Sequence, residues 1–338
     1  MLRRVRVFVV LVSLAGALSV GAGGASAADW AGLGDSYAAG PLIPNQQLNP
    51  LGCLRSDHNF AHLAAAALGR SLADASCSGA TTAEMTSAQD VTPGPANPPQ
   101  LDALTNDTQI VTLQIGGNDI GFTSILENCA TANPFAHPCR DKYVVNGHDT
   151  LADRIAATAP KVAAVLQGIH SRSPNARVFV VNYAAILPET GSGCWPQVPI
   201  AFSDVPYLRS VEKNLNAMLA QQAAANGARI VDDYTASIGR DACKSSSTRW
   251  VEPLVPANAA ARFHPNARGE AGIATVVVGA VSSSERQRNS PPKRGRGAQR
   301  GEIVSPPHSS GAMSASVSEN VNWWPTGSIA VYWRSPYS

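Results

Sequence analysis

Short apolar runs alternate with longer amphipathic stretches along most of this chain. Runs that are rich in aliphatic residues and bounded by glycine or polar residues predict strands. Five segments fit this description: Trp30–Gly34, Ser71–Ser76, Ile110–Ile115, Arg177–Val181 and Ala228–Val231. Apolar residues at helical spacing predict four main helices: Asp57–Leu68, Leu151–His170, Leu208–Asn226 and Ala267–Val281. Because strands and helices alternate, we predict an α/β fold with a parallel sheet covered on both faces and with functional groups beyond the carboxyl ends of the strands.

The amino-terminal segment 1–28 has the pattern of a secretory signal peptide. Met1–Arg6 is basic, Val7–Val20 is apolar, and Ala25–Ala27 supplies small residues where a signal peptidase cuts. A membrane anchor is the alternative, but the apolar run is shorter than the roughly twenty residues that a spanning helix needs. We therefore expect an exported chain that begins near Ala28 or Asp29, with no membrane span after removal of the signal.

The carboxyl-terminal segment differs in composition from the rest. Residues 282–311 are mostly serine, arginine, proline and glycine, which bury too little apolar surface to offset the entropy of ordering. We predict one domain over 29–281 and a low-complexity, disordered tail over 282–338. The last residues hold three of the six tryptophans, so a small binding appendage and a segment without function both remain open.

The distribution of charge along the chain argues against a nucleic-acid partner. The chain has a net charge of +2, with 44% hydrophobic and 15% charged residues. The basic excess lies at the two ends, so segment 29–280 carries more acidic than basic residues. We therefore expect no nucleic-acid partner for the domain.

Six cysteines in an exported chain indicate three disulfides. Their spacing does not select one connectivity, and sequential pairing is the simplest hypothesis: Cys53–Cys77, Cys129–Cys139 and Cys194–Cys243. A zinc site is the alternative, but no Cys-x-x-Cys pair is present. His58 and His62 could form a metal pair on one helix, although no third ligand is evident nearby. We expect neither a metal nor a cofactor.

Candidate chemistry lies in four short motifs that follow predicted strands or precede the last helix. Gly34–Ser36 and Gly116–Asp119 follow two strands, Cys77–Thr81 follows a third, and Phe263–Asn266 precedes the helix. Each motif alone is also typical of an ordinary turn, because glycine, aspartate and asparagine dominate turns. Together they are far more specific.

The four motifs resemble those of the SGNH (GDSL-type) hydrolases, in particular the secreted actinobacterial esterases and lipases. The resemblance covers most of the mature chain. It implies a three-layer α/β/α sandwich with a five-stranded parallel sheet, flavodoxin-like, and the hydrolysis of carboxylic esters. It assigns the family's serine, glycine, asparagine and histidine to Ser36, Gly79, Asn118 and His264.

The resemblance also implies a mechanism. Ser36 attacks the ester carbonyl, His264 acts as general base, and the oxyanion accepts hydrogen bonds from Ser36 N, Gly79 N and the Asn118 side chain. We expect a monomer that binds a small-molecule or lipid ester. Acyl length and the alcohol are not readable, so acylated sugars and phospholipids remain possible substrates.

One position departs from the family pattern. Many members carry aspartate three residues before the histidine, where this chain has Ala261. We therefore predict that the backbone carbonyl of Ala261 accepts a hydrogen bond from His264 Nδ1. A distant acid is the alternative, and the candidates are Asp232, Asp233 and Glu252.

Two other functional classes compete with an esterase. A secreted binding protein could keep this fold without catalysis, although all four motif residues are present. A metal-dependent phosphodiesterase would need a cluster of carboxylates and histidines, and no cluster with clear spacing is visible in the sequence.

Overall fold

The computed structural model describes residues 28–289. Most of the predicted signal peptide (1–28) and of the predicted tail (282–338) lies outside the described residues. Within 28–289, no helix combines the length and the apolarity that crossing a membrane requires.

A five-stranded sheet forms the centre of the domain, and all of its neighbouring strands are parallel. Its strands are β1 (Trp30–Gly34), β2 (Leu72–Asp74), β3 (Ile110–Gln114), β6 (Arg177–Val181) and β7 (Arg229–Val231). The spatial order is β2-β1-β3-β6-β7. A separate antiparallel pair consists of β4 (Val144–Val145) and β5 (His148–Asp149). The predicted α/β class with a five-stranded parallel sheet is confirmed.

Eight α-helices connect these strands or follow them in the described chain: α1 (Ser36–Ala39), α2 (Phe60–Ala67), α3 (Phe122–Cys129), α4 (Pro138–Tyr143), α5 (Thr150–Arg172), α6 (Val205–Ala225), α7 (Asp233–Ser237) and α8 (Ala267–Asn289). The long helices pack in pairs, α5 with α6 and α2 with α8. Successive side chains of a strand point to opposite faces, so each strand contributes to two cores. In β6, Val178 and Val180 join the core that contains α5 and α6, whereas Phe179 joins the core that contains α2 and α8. This arrangement makes three layers.

The carboxyl ends of β1 and β3 approach each other closely. Gly34 has φ +152°, and a Cβ atom at this position would lie 2.4 Å from the carbonyl oxygen of Gln114. Glycine tolerates this backbone conformation and contact because it has no Cβ. The residues that follow Gly34 are therefore held beside the end of the neighbouring central strand.

The predicted domain boundary at 281 is wrong, because α8 continues to Asn289. Glu285 forms ion pairs with Arg70 at 3.0 Å and with Arg177 at 2.8 Å, and Ser284 is buried. These contacts hold the last two turns of α8 beside the amino-terminal ends of β2 and β6. The composition of 282–289 alone does not reveal them.

Three disulfides are present, and they are the pairs expected from sequential pairing: Cys53–Cys77, Cys129–Cys139 and Cys194–Cys243. The first one supports the loop that carries Gly79. The backbone N–H of Cys77 donates to Gly34, and that of Ser78 donates to Cys53. The loop is therefore anchored beside the end of β1.

Candidate active site

Ser36 is the first residue of the short helix α1, directly after β1. The side chain of Asp35 caps this helix and accepts the backbone N–H of Tyr37 at 2.9 Å. Gly40 ends the helix after one turn, with φ +71°. A strand, a capping carboxyl and a single helical turn thus present the Ser36 hydroxyl, which is half-buried, beyond the carboxyl end of the sheet.

His264 meets Ser36 from a loop 228 positions later in the sequence. The ring atom Nε2 lies 2.7 Å from Ser36 Oγ. Backbone hydrogen bonds to Glu252 hold this loop on both sides: Glu252 N–H donates to the His264 carbonyl, and Phe263 N–H donates to the Glu252 carbonyl. The structure therefore brings the two predicted residues into hydrogen-bond contact.

The predicted role of the Ala261 carbonyl is wrong. His264 Nδ1 lies 2.7 Å from the carbonyl oxygen of Arg262. The Ala261 carbonyl instead accepts the backbone N–H of His264 at 3.2 Å, because the chain turns here with Phe263 at φ +59°. This turn directs the next carbonyl, that of Arg262, toward the imidazole.

The three acids considered as alternatives hold other groups. Glu252 accepts from Arg249, Asn258 and Asn266. Asp232 caps α7, and both carboxyl oxygens of Asp233 are buried without a hydrogen-bond partner in the described chain. Within 28–289, no carboxylate contacts the His264 ring.

Burial lowers the pKa of His264 below its usual value, and the Arg262 carbonyl opposes this shift by stabilising the charged ring. The ring is therefore neutral at pH 7.

Asn118 follows β3 and belongs to the wall of the cavity that contains Ser36. Its Nδ2 donates to the carbonyl of Ala80 at 2.9 Å, and the carboxylate of Asp119 accepts from Thr82 N–H at 2.9 Å. One amide hydrogen of Asn118 remains for another acceptor, since an NH₂ group has two. The loop that carries Asn118 and the loop that carries Gly79 are thus joined by hydrogen bonds beside Ser36.

Of the four motif residues, Gly79 is the one that does not line the cavity. It lies one residue before Ala80, in an exposed turn with φ +85°. The described residues that line the cavity include Asn118 but not Gly79. Within 28–289, neither the Gly79 nor the Ser36 backbone N–H has an acceptor.

Sequence reasoning missed a buried pair next to the candidate nucleophile. The phenol of Tyr183, which follows β6, donates to Asp35 Oδ2 at 2.5 Å. Burial raises the pKa of Asp35 to about 7, and the Tyr183 hydrogen bond opposes this rise. The aspartate is part of the Gly34–Ser36 motif, but no sequence pattern marks the tyrosine.

A cavity of about 570 Å³ opens at Ser36 and His264. Its wall is mostly apolar and includes Leu42, Phe122, Leu126, Ile186, Leu215 and Leu254. Glu212 also lines it, and burial raises the pKa of that carboxyl well above its usual value. This shift favours the uncharged form of the carboxyl within the apolar wall.

Within residues 28–289, no group of three or more histidine, cysteine, aspartate or glutamate side chains is placed to hold a metal ion. His62, one of the two histidines considered as a metal pair, lies beside Gln47 and Asp74 instead.

Comparison with known proteins decides the family. The profile of the GDSL-like lipase/acylhydrolase family matches residues 33–271. The chain belongs to this GDSL family. The matched range contains all four motif residues and every strand of the central sheet except the first three residues of β1.

Curated relatives of this GDSL protein carry names that agree with the family. The chain is 38% identical over 286 residues to Lipase 2 of Streptomyces coelicolor, a match that covers 80% of this chain and 94% of the relative. It is 29% identical to an esterase of Streptomyces scabiei, covering 69% of this chain and 77% of the relative. The family and these relatives make the chain an ester hydrolase of the lipase/esterase type.

Two solved structures share the fold of the GDSL domain. The extracellular lipase of Streptomyces rimosus has a TM-score of 0.59 at 24% identity, covering 75% of this chain and 100% of its own. Phospholipase A1 of Streptomyces albidoflavus has a TM-score of 0.60 at 22% identity, covering 76% and 99%. At these identities the likeness establishes the three-layer architecture alone.

Proposed function

We propose that this protein is a secreted serine esterase or lipase that cleaves carboxylic esters through an acyl-enzyme on Ser36. The observation that carries the proposal is the 2.7 Å contact between His264 Nε2 and Ser36 Oγ. A hydroxyl is a weak nucleophile at neutral pH unless a base takes its proton, and a neutral imidazole at this distance is such a base.

In the first half of the reaction, Ser36 Oγ attacks the ester carbonyl carbon while its proton moves to His264 Nε2. The tetrahedral intermediate collapses, the bond to the alcohol oxygen breaks, and the same nitrogen returns the proton to the leaving alcohol. Water then attacks the acyl-enzyme by the same two proton transfers. The products are a carboxylic acid, the alcohol and free enzyme.

The oxyanion would accept from the backbone N–H of Ser36, the backbone N–H of Gly79 and the free amide hydrogen of Asn118. Two features support this assignment. Neither backbone N–H has an acceptor within 28–289, and Asn118 is held through Ala80 on the glycine loop. Preorganised donors of this kind stabilise the charge that develops in the transition state.

The Arg262 carbonyl takes the place of an acid behind the histidine. By accepting the Nδ1 hydrogen at 2.7 Å, it favours the tautomer whose Nε2 lone pair faces Ser36. A carbonyl carries only a partial charge and therefore stabilises the imidazolium less than a carboxylate does. We infer that Ser36 and His264 form a catalytic dyad, and that its rate depends strongly on the oxyanion donors.

The apolar cavity fits the acyl chain of a lipid or of a smaller ester. Its wall of aliphatic and aromatic side chains suits an uncharged chain, and burial favours the uncharged form of Glu212. Glycerides, phospholipids and acylated sugars differ in the alcohol, which binds outside an acyl pocket. A chain-length series of p-nitrophenyl esters measures the acyl preference directly.

We further propose that the mature enzyme acts outside the cytoplasm, as a monomer and without a nucleic-acid partner. The segment 1–28 and the three disulfides support action outside the cytoplasm, and the acidic excess of segment 29–280 argues against a nucleic-acid partner. Disulfides persist in oxidising compartments.

The decisive experiment measures p-nitrophenyl butyrate turnover by the mature protein with and without EDTA. Wild type is expected to be active in both buffers, and Ser36→Ala is expected to lose turnover while remaining folded. Ser171→Ala, which changes an exposed serine of α5 outside the cavity, is the matched control and retains full activity. Activity that survives Ser36→Ala and disappears with EDTA contradicts the proposal and favours a metal-dependent enzyme.

A further inference from the structure

Tyr183 lies two residues after the end of β6, between the loops that carry Ser36 and Asn118. Its main chain is fixed by Asn216 of α6, which accepts the Tyr183 N–H and donates to the Tyr183 carbonyl, both at 2.9 Å. Two opposed hydrogen bonds from one buried amide leave the backbone of Tyr183 little freedom. The position of the phenol is therefore set by the helix and the strand, rather than by a surface loop.

The phenol oxygen makes one hydrogen bond to each catalytic loop. It donates to Asp35 Oδ2 at 2.5 Å and accepts the backbone N–H of Gly117 at 2.8 Å. Asp35 immediately precedes Ser36, and Gly117 immediately precedes Asn118. One oxygen atom thus joins the residue before the nucleophile to the residue before the oxyanion amide.

The fit around this oxygen leaves little room for either loop to move. A Cβ atom at Gly117 would lie 3.0 Å from the Tyr183 oxygen, so the glycine allows its loop to approach the phenol. The Tyr183 ring also packs edge-on against Tyr37, with ring centroids 5.1 Å apart. Tyr37 is the residue after Ser36, and the nucleophile is therefore held on both sides of the chain.

The hydrogen bonds run in one direction through the phenol. The N–H of Gly117 donates to Tyr183, whose hydroxyl donates to the carboxylate of Asp35, and the other carboxylate oxygen accepts from Tyr37 N–H. Each hydrogen has a single acceptor in this chain of contacts. Both carboxyl oxygens of Asp35 act as acceptors in this arrangement, which favours the ionised carboxylate.

We propose that Tyr183 is a positioning residue, whose phenol fixes the distance between the Ser36 hydroxyl and the Asn118 amide by bridging Asp35 and Gly117. This inference rests on the proposed function, because it assigns Tyr183 a role in the reaction of Ser36. Nucleophilic attack and oxyanion stabilisation must occur together, and misplacement of one reactive group by about 1 Å can lower a rate about 100-fold. A bridge between the two loops keeps the active geometry formed before substrate arrives.

Tyr183→Phe tests the proposal, because it removes the bridging oxygen and keeps the ring against Tyr37. Turnover of p-nitrophenyl butyrate is measured per active site, with sites counted by titration with a fluorophosphonate. We expect kcat per titrated site to fall about 10- to 100-fold, while KM changes by less than about twofold. Counting only reactive sites separates a loss of geometry from a loss of folded protein.

Tyr207→Phe is the matched control. Its phenol donates to Asp149 at 2.8 Å, also a tyrosine-to-carboxylate hydrogen bond, and Tyr207 is not among the residues that line the cavity. We expect this variant to lose some thermal stability while its kcat per site stays within about twofold of wild type. A merely structural role for Tyr183 predicts the same result for both variants.

A second variant keeps the test decisive if Tyr183→Phe does not fold. Asp35→Ala removes the carboxylate and with it the contact between the phenol and the loop of Ser36. We expect a similar fall in kcat per titrated site. Full kcat per site in whichever variant folds overturns the bridge. Failure of the proposed function itself is distinguishable, because Ser36→Ala would then keep turnover and the fluorophosphonate would not label Ser36.

Discussion

His264 Nε2 and Ser36 Oγ lie 2.7 Å apart, although 228 positions separate them in the sequence. The contact depends on two local features with different origins. The capped single-turn helix α1 presents the serine at the end of β1, and a backbone turn at Phe263 presents the histidine. The Tyr37 hydroxyl donates to the Phe263 carbonyl and so joins the two features directly. The distance is therefore a property of the assembled fold.

Replacing the histidine tests its role as base. We expect His264→Ala to lower kcat about 10²- to 10⁴-fold, because general acid–base catalysis contributes a factor of this size. Esterase kinetics at pH 8 measure the change. His148→Ala is the control, since that side chain is 67% exposed in the β4–β5 pair. Equal losses in both variants would point to a general effect on folding and contradict the assignment.

Removing the side-chain amide tests the oxyanion hole. We expect Asn118→Ala to lower kcat about 10²- to 10³-fold with little change in KM, since the donor acts mainly on the charge of the transition state. Asn128→Ala removes an exposed amide that donates to the Tyr143 hydroxyl and does not line the cavity, so it should leave kcat unchanged. A large increase in KM at constant kcat for Asn118→Ala would show that the amide binds the ground state instead.

The pH profile of kcat/KM should report two groups on its acid side. Burial raises the pKa of Asp35 to about 7, with the charge of Asp119 adding to the rise, and burial lowers the pKa of His264 below 6.5. The active form needs an ionised Asp35 and a neutral His264. We therefore expect activity to fall as pH drops through about 7, and to fall more steeply below 6.5.

Asp35→Asn separates the two groups. The variant has a lower maximum activity, but its acid limb should contain only the later step, which belongs to His264. The shape of the profile is the measured quantity, and it does not depend on the amount of active protein. If the acid limb of the variant superimposes on that of wild type, Asp35 does not contribute to the pH dependence.

Stability should depend on pH through a buried acid that the reaction does not use. Both carboxyl oxygens of Asp233 are buried without a hydrogen-bond partner in the described chain, and burial raises its pKa from 3.8 to about 8. A raised pKa in the folded state means that the contribution to stability is complete below about pH 4 and is lost as pH rises through about 8.

Asp233→Asn removes this dependence. We expect the variant to resemble wild type at pH 4 and to be more stable at pH 9, because the amide cannot ionise; the gain is about 1.4 kcal/mol for each unit by which burial raises the pKa of Asp233. Urea unfolding at the two pH values measures the difference. The exposed Asp107→Asn should change stability equally at both pH values. A destabilised Asp233→Asn at pH 9 would show that the carboxylate has a favourable partner.

The sequence predicts the parts of the fold that depend on local pattern. The strand Arg177–Val181 is predicted without error, because its apolar run is short and bounded on both sides. The end of α8 is not predicted, since Glu285 binds Arg70, which lies before β2, and Arg177, the first residue of β6. Such ion pairs exist only after the chain has folded.

The candidate site also contains residues that the sequence predicts and residues that it does not predict. Ser36, Asn118 and His264 lie in short motifs that the family resemblance identifies. The choice between the carbonyls of Ala261 and Arg262 depends on a positive φ angle at Phe263, a conformation that phenylalanine rarely adopts and that no residue pattern announces. Tyr183 has no motif, and its acidic partner is 148 positions away.

The acyl-enzyme can be tested most directly by covalent labelling. The mature protein is treated with a fluorophosphonate and digested, and mass spectrometry identifies the labelled residue. We predict one adduct, on the peptide that contains Ser36, formed in step with the loss of esterase activity and greatly slowed in His264→Ala. Complete loss of activity with the label on another residue, or full activity with Ser36 labelled, would contradict the mechanism.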